Sequence, residues 1–279
     1  MTFSNIYSNS KAFRVIFFAL MLSALILLTS CGKKTEPAET PAVETEAPDP
    51  DTVVAPPEVS GAITTDSEVS PSPTPSPESK GPDVPEREAA SDDFFADSAF
   101  MGNSLMDGFR LFSGLTTCDY YAATSMTVVA ADSSACITLD NGNAGTLVDG
   151  LLQKPYGKIY ILLGINEIGY DVDTFIDLYG KMLDTIIAGQ PDADIYIMGL
   201  TPVSAAKSAG SDTFNMTRIT SYNTALYELA AQKGCYYLDL VDALAGDDGF
   251  LPADVTTDGV HFSAEVYKQW LDYVKTHYV

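Results

Sequence analysis

A chain of 279 residues with a formal charge of −23 and a pI near 4.1 is poorly suited to nucleic acid, where Lys and Arg must neutralise phosphates. With only two histidines, His261 and His277, a His-rich metal site is excluded, and no cofactor or metal motif stands out. Twelve of the 16 prolines lie between Pro37 and Pro85, so the fold must come from roughly the last 185 residues, enough for one core without staples.

The first segment reads as an address, residues 1–30. Lys11 and Arg14 precede an apolar run from Val15 to Leu28; a basic start and an apolar core make a secretory signal, and the run is short against the about 20 residues of a spanning helix. Leu28-Thr29-Ser30-Cys31 resembles the bacterial lipoprotein signal, which implies lipidation of Cys31, a membrane partner and a location on the extracytoplasmic face of the cell membrane. Residues 31–92 are rich in Pro, Glu, Ser and Thr, with Ser70-Pro71-Ser72-Pro73-Thr74-Pro75 in the middle. Such a composition cannot bury enough surface to offset its ordering entropy, so a disordered, semi-stiff tether is expected. The domain then spans 93–279.

Within the domain, Ala99-Phe100-Met101 reads as a short buried strand ending at Gly102, and Tyr120-Tyr121-Ala122-Ala123 as a second. The continuous apolar run Lys158–Leu163 suits a sheet covered on both faces. Asp194–Gly199 and Tyr236–Leu240 make the fourth and fifth strands. Between them, apolar residues from Phe175 to Ile187 fall at helical spacing, stopped by Gly189 and Pro191; a second such set runs from Ile219 to Ala230 and stops at Gly234, and a third from Val266 to Val274. This alternation predicts a mostly parallel five-stranded sheet between helical layers. Asp140–Gly145 reads as a polar turn, because Gly142 and Ala144 stand where a calcium loop needs oxygen side chains. Asp171 and Asp173 fit the first turn of a helix. The segment from Val203 to Thr217 is small and polar, without the apolar surface of an interfacial lid. Cys118, Cys136 and Cys235 permit one disulfide and a free thiol, or three thiols. Nothing sets the oligomeric state.

In such sheets, sites form beyond the carboxyl ends of the strands. Three segments fall there or in the last loop: Gly102-Asn103-Ser104-Leu105, Gly164-Ile165-Asn166-Glu167 and Asp258-Gly259-Val260-His261. In this order they resemble the blocks of the GDSL/SGNH hydrolases, over a stretch from about Phe95 to the C-terminus. The resemblance implies a flavodoxin-like three-layer α/β/α sandwich, with Ser104 as nucleophile, His261 as base and Asp258 as its orienting carboxylate. It also implies an oxyanion hole formed by the Ser104 N–H, the Asn166 amide and the N–H at Ser125, where the family has glycine. Two further departures are Asn103 in place of an aspartate, expected to alter loop hydrogen bonding, and Glu167 in place of the usual aspartate, with no role assigned. His277, on the last helix, reads as a surface histidine.

The chemistry expected is hydrolysis of a small ester, such as an O-acetyl group on a carbohydrate or cell-wall glycan, through an acyl-enzyme. An O-acyltransferase acting on glycans uses the same residues, and a glycan-binding module without turnover is the non-enzymatic alternative.

Overall fold

The computed structural model describes residues 82–279; the leader, Cys31 and most of the expected tether lie outside them. In chain order, β1 (Ser98–Gly102) leads into α1 (Ser104–Phe112), β2 (Asp119–Ala122) and the short α2 (Val128–Ser133). A two-stranded hairpin of β3 (Ile137–Thr138) and β4 (Ala144–Gly145) precedes α3 (Leu147–Leu151) and β5 (Lys158–Leu162). Then come α4 (Val172–Gly189), β6 (Asp194–Met198), α5 (Ala205–Ala209) and α6 (Met216–Lys233). The chain finishes with β7 (Tyr236–Leu238), α7 (Leu240–Leu244) and α8 (Ala264–Thr276).

The five long strands form one sheet in the order β2-β1-β5-β6-β7, every neighbouring pair parallel. The chain thus steps outward from β1 in both directions, and the reversal at the β1/β5 boundary opens a crevice at the strands' carboxyl ends. Helix α1 packs with α8, and α8 with α7, while α2, α3, α4 and α6 pack among themselves. These two sets cover opposite faces of the sheet, giving the α/β/α sandwich.

One face of the sheet is aromatic. The register places Tyr120, Phe100, Tyr160, Tyr196 and Tyr236 side by side across all five strands. Phe100 stacks on Tyr160 at 4.5 Å between ring centroids, and Tyr160 on Tyr196 at 4.6 Å. Phe109 of α1 lies 5.3 Å from Phe100 and 4.6 Å from Trp270 of α8. Each such pair adds about 0.5–1.5 kcal/mol beyond burial of its area. The row locks β1 and the start of α1, and hence Ser104, to a rigid floor. The tyrosine-rich stretches are therefore core strands.

The elements end where their sequences dictate. Asp171 caps α4 by accepting from Thr174 N–H at 3.2 Å, with Asp173 in the first turn, where negative charge offsets the helix dipole. Gly234 closes α6 in the left-handed region at φ 68°. Thr146 and Asp149 form a reciprocal capping box on α3. The polar turn of Asp140–Asn143 joins β3 to β4, with Leu139 N–H donating to Asn143 O at 2.8 Å and Asn143 N–H to Asn141 Oδ1 at 2.9 Å.

The structure adds detail at three places. The chain packs against the domain from Pro82, upstream of the boundary placed at residue 93. Tyr237 N–H donates to Pro82 O at 2.7 Å, Arg87 N–H to Thr276 O at 2.7 Å, and Lys275 pairs with Asp92 at 2.6 Å. Proline-rich composition hid this because the contacts are main-chain bonds and scattered side chains. His277 is half-buried, stacked at 3.9 Å on Tyr273 and bridged to Glu86. The segment from Val203 to Thr217 contains helix α5, whose cap is Ser204, and it turns Phe214 toward the crevice. The three domain cysteines are free thiols, with Cys235 buried and Cys136 exposed.

Candidate active site

Ser104 is the first residue of α1, immediately beyond β1, so its backbone N–H has no acceptor within the helix. The cap is Asn103, fully buried, whose Oδ1 accepts from Leu105 N–H at 3.0 Å. Its Nδ2 is buried with no hydrogen-bond partner among the described residues. Replacing the expected aspartate thus leaves a donor without an acceptor, while the cap itself is kept.

The loop before α8 brings His261 and Asp258 to Ser104. Ser104 Oγ and His261 Nε2 are 3.0 Å apart, and His261 Nδ1 lies 2.7 Å from Asp258 Oδ2. The other Asp258 oxygen accepts from Val260 N–H at 2.9 Å and from His261 N–H at 2.8 Å. Burial raises the Asp258 pKa, but the His261 ring and these two amides outweigh it and hold the carboxyl down at about 2. A carboxylate can only accept, so Nδ1 carries the proton in the neutral ring and Nε2 is left to accept from the serine hydroxyl. Gly259 makes this turn at φ 84°, and a Cβ there would come within 2.7 Å of Ser204 Oγ. Only glycine fits both the dihedral and the space.

The opposite wall is built from two other loops. Gly164 turns the chain after β5 at φ 123°, into the short 3-10 turn Ile165–Glu167. Asn166 projects from that turn into the crevice; its Nδ2 donates to Met126 O at 2.8 Å, leaving the second amide hydrogen for a ligand. Met126 belongs to the loop after β2, whose Ser125 sits at φ 60°, the one non-glycine residue in the left-handed region among those described. The dihedral is the one a glycine would adopt freely, and serine holds it at a cost of about 1–2 kcal/mol.

Glu167, which had no role in the motif reading, joins these two loops. It is 1% exposed, and its Oε1 accepts from Val128 N–H at the start of α2. Its Oε2 is buried with no partner among the described residues, and burial pushes its pKa up. From below, Tyr222 Oη donates to Glu167 O at 2.6 Å, while Arg218 donates to Ile168 O and Tyr170 O, each at 2.7 Å. Helix α6 therefore fixes the turn that carries Asn166.

Ser104, Asn166, Asp258 and His261 line one pocket of about 180 Å³ together with Leu105, Ile165, Val260, Lys207 and Phe214. Sequence reading missed the last two as site residues, because a single Lys and a single Phe in a small polar segment carry no periodic or motif signal. The arrangement can take a proton from the serine hydroxyl as it attacks, and it presents donors on the far side of the attacked carbon. Among the described residues no cluster of His, Cys, Asp or Glu suits a metal ion.

The GDSL-like Lipase/Acylhydrolase family model matches residues 100–269, more than half of the chain and all three motif segments. Among curated proteins, none matches the chain. Of the solved structures, a protein provisionally described as a platelet activating factor from Streptococcus pneumonia is 20% identical, with a TM-score of 0.52 over 64% of this chain and 82% of that one. A GDSL-like lipase from Bacteroides thetaiotaomicron VPI-5482 is 15% identical, at TM-score 0.48 over 64% of this chain and 85% of its own. A protein from Bacteroides fragilis NCTC 9343, provisionally described as an acylhydrolase, is 16% identical, at TM-score 0.48 over 68% and 88%. The α/β/α fold and the family match define the class, an acylhydrolase or esterase. The chain belongs to the GDSL-like lipase/acylhydrolase family.

Proposed function

We propose that the protein is a serine esterase that removes a short acyl group, with Ser104 as nucleophile, His261 as general base and acid, and Asp258 orienting the imidazole. The observation that carries this reading is the unbroken chain from Ser104 Oγ to His261 Nε2 at 3.0 Å and from His261 Nδ1 to Asp258 at 2.7 Å, facing a pocket. Ser104 Oγ attacks the ester carbonyl carbon as its proton passes to His261 Nε2. The tetrahedral oxyanion is met by the Ser104 and Ser125 N–H groups and the free Asn166 amide hydrogen, and Asp258 stabilises the imidazolium. The carbon–oxygen bond to the alcohol then breaks as His261 returns the proton to the departing oxygen. Water, deprotonated by His261, attacks the acyl-enzyme, and Ser104 Oγ recovers the proton as the carboxylic acid leaves.

A pocket of about 180 Å³ is below the usual range of about 300–1,000 Å³ for ligand sites, which supports a short acyl group. We assign the O-acetyl group of a carbohydrate or cell-wall glycan as substrate, on that size and on the extracytoplasmic address that the resemblance of the segment before Cys31 to a lipoprotein signal implies. The domain would stand off the membrane on a tether attached to a lipidated cysteine, since two or more acyl chains give the stable anchoring that one does not.

The test is hydrolysis of para-nitrophenyl esters of increasing acyl length. The acetate is expected to be the best substrate, and Ser104→Ala to abolish turnover without changing the unfolding temperature. Turnover retained in Ser104→Ala overturns the nucleophile assignment, and a preference for long acyl chains overturns the substrate class. In cells, Cys31→Ala is expected to move the protein from the membrane fraction to the soluble one; unchanged fractionation contradicts the anchor.

A further inference from the structure

Lys207 lies in the wall of the same pocket as Ser104 and His261, and nothing in the reaction above uses its charge. It is half-buried on α5, with its N–H donating to the cap Ser204 Oγ at 3.3 Å and its ammonium 4.9 Å from the centre of the Phe214 ring. The segment is tied to the catalytic loop: Ser204 N–H donates to Gly259 O at 3.0 Å, and a Cβ on Gly259 would meet Lys207 Cβ at 2.6 Å. The backbone and Cβ of Lys207 are therefore fixed beside the Asp258–His261 turn.

Among the described residues its charge has no carboxylate partner. Arg110, Lys154, Lys158, Lys233, Lys268 and Lys275 each pair with a carboxylate within 3.2 Å. Lys207 pairs with none among the described residues. The acid nearest in the pocket, Asp258, has both oxygens committed to His261 and the Val260 amide. The Phe214 ring steadies the ammonium by its quadrupole but leaves the charge in place. In a chain of net charge −23, a half-buried lysine in the wall of the pocket, with no carboxylate partner among the described residues, is a binding group for an anion, and an ammonium supplies a strong charge-assisted hydrogen bond to one.

We propose that the natural ester is anionic, carrying a carboxylate or phosphate that meets Lys207 Nζ while the ester carbonyl faces Ser104 Oγ. This rests on the esterase reading above and adds the class of substrate: an O-acetylated acidic sugar or phosphorylated glycan, with the anion in the alcohol. Lys207 is the residue that sets this specificity.

Matched pairs test it on the purified protein. Para-acetoxybenzoate and its methyl ester place the anion in the alcohol; para-acetoxyphenyl phosphate gives the phosphate version. The para-nitrophenyl monoesters of succinic and butyric acids place it in the acyl group. The readout is the ratio of kcat/KM for the anionic ester over its neutral match. We expect the wild type to favour the anion in the alcohol; a preference for the succinyl ester alone overturns that placement. Lys207→Met should lower that ratio about tenfold or more, the size of one charge-assisted contact. Lys207→Arg should largely restore it, Lys207→Glu should invert it, and added salt should erode it in the wild type but not in Lys207→Met. A ratio unmoved by Lys207→Met and Lys207→Glu, with both esters still turned over, overturns this proposal and leaves the esterase reading standing. A folded wild type that cleaves none of the esters overturns both.

Discussion

The two walls of the active site are built to different standards. On the wall formed by Asp258–His261, both carboxylate oxygens are occupied and glycine takes the one left-handed position. On the wall formed by Ser125, Asn166 and Glu167, a serine sits at φ 60° and a buried carboxylate oxygen has no partner among the described residues. In the proposed reaction the first wall handles protons, and its geometry needs only one short loop. The second must place donors from two separate loops at one point, and strain collects where distant segments have to meet. The difference predicts that substitutions on the first wall act mainly on rate and those on the second act on rate and stability together.

The largest effect should come from Asp258→Asn. The amide keeps the shape but can hold the wrong imidazole tautomer, and kcat is expected to fall by about 10⁴ in steady-state assays with an acetate ester. Asn166→Ala removes one donor to the developing oxyanion and should lower kcat by about 10²–10³ with KM little changed. It also frees Met126 O, so a small loss of stability by thermal unfolding should accompany it.

Glu167→Ala should cost about 1–3 kcal/mol of stability in urea titrations, because the Val128 N–H loses its acceptor in a buried position. Its pH signature separates this from a simple packing loss. Burial raises the Glu167 pKa above 4.5, so the folded state binds the proton more readily than the unfolded one. Wild-type stability should therefore rise as pH falls through that raised value and level off below 4.5, a slope that Glu167→Ala lacks. The smallest effect is reserved for Ser125→Gly. Relief of the left-handed strain is partly cancelled by the greater freedom of glycine in the unfolded chain, leaving a gain of up to about 1 kcal/mol. A large loss of stability in that variant would mean that the loop is not strained at Ser125.

The contrast between the walls also separates what the sequence reveals from what it hides. The sheet was legible because its strands are unbroken apolar runs such as Lys158–Leu162, and α4, α6 and α8 because their apolar residues repeat at helical spacing. The short α2, α3 and α5, with the hairpin of β3 and β4, fell below the length at which periodicity speaks. Ser104, Asn166, Asp258 and His261 stood out because each lies just beyond a strand or in a compact turn within a motif. Glu167 was visible as a residue but not as a link, since its partner Val128 is 39 positions away and no local pattern joins them. Lys207 and Phe214 were hidden for the same reason: their place beside Ser104 is set by the bond between Ser204 and Gly259, a long-range contact. The packing of residues 82–92 against β7 and α8 likewise rests on main-chain bonds that composition does not record.

The most direct test of the central claim, that His261 activates Ser104, is mass spectrometry of the protein after exposure to a fluorophosphonate probe. A single adduct on Ser104, formed in the wild type and lost in His261→Ala, is the expected result. A folded wild type that takes up no probe, or takes it up on another residue, would contradict the account.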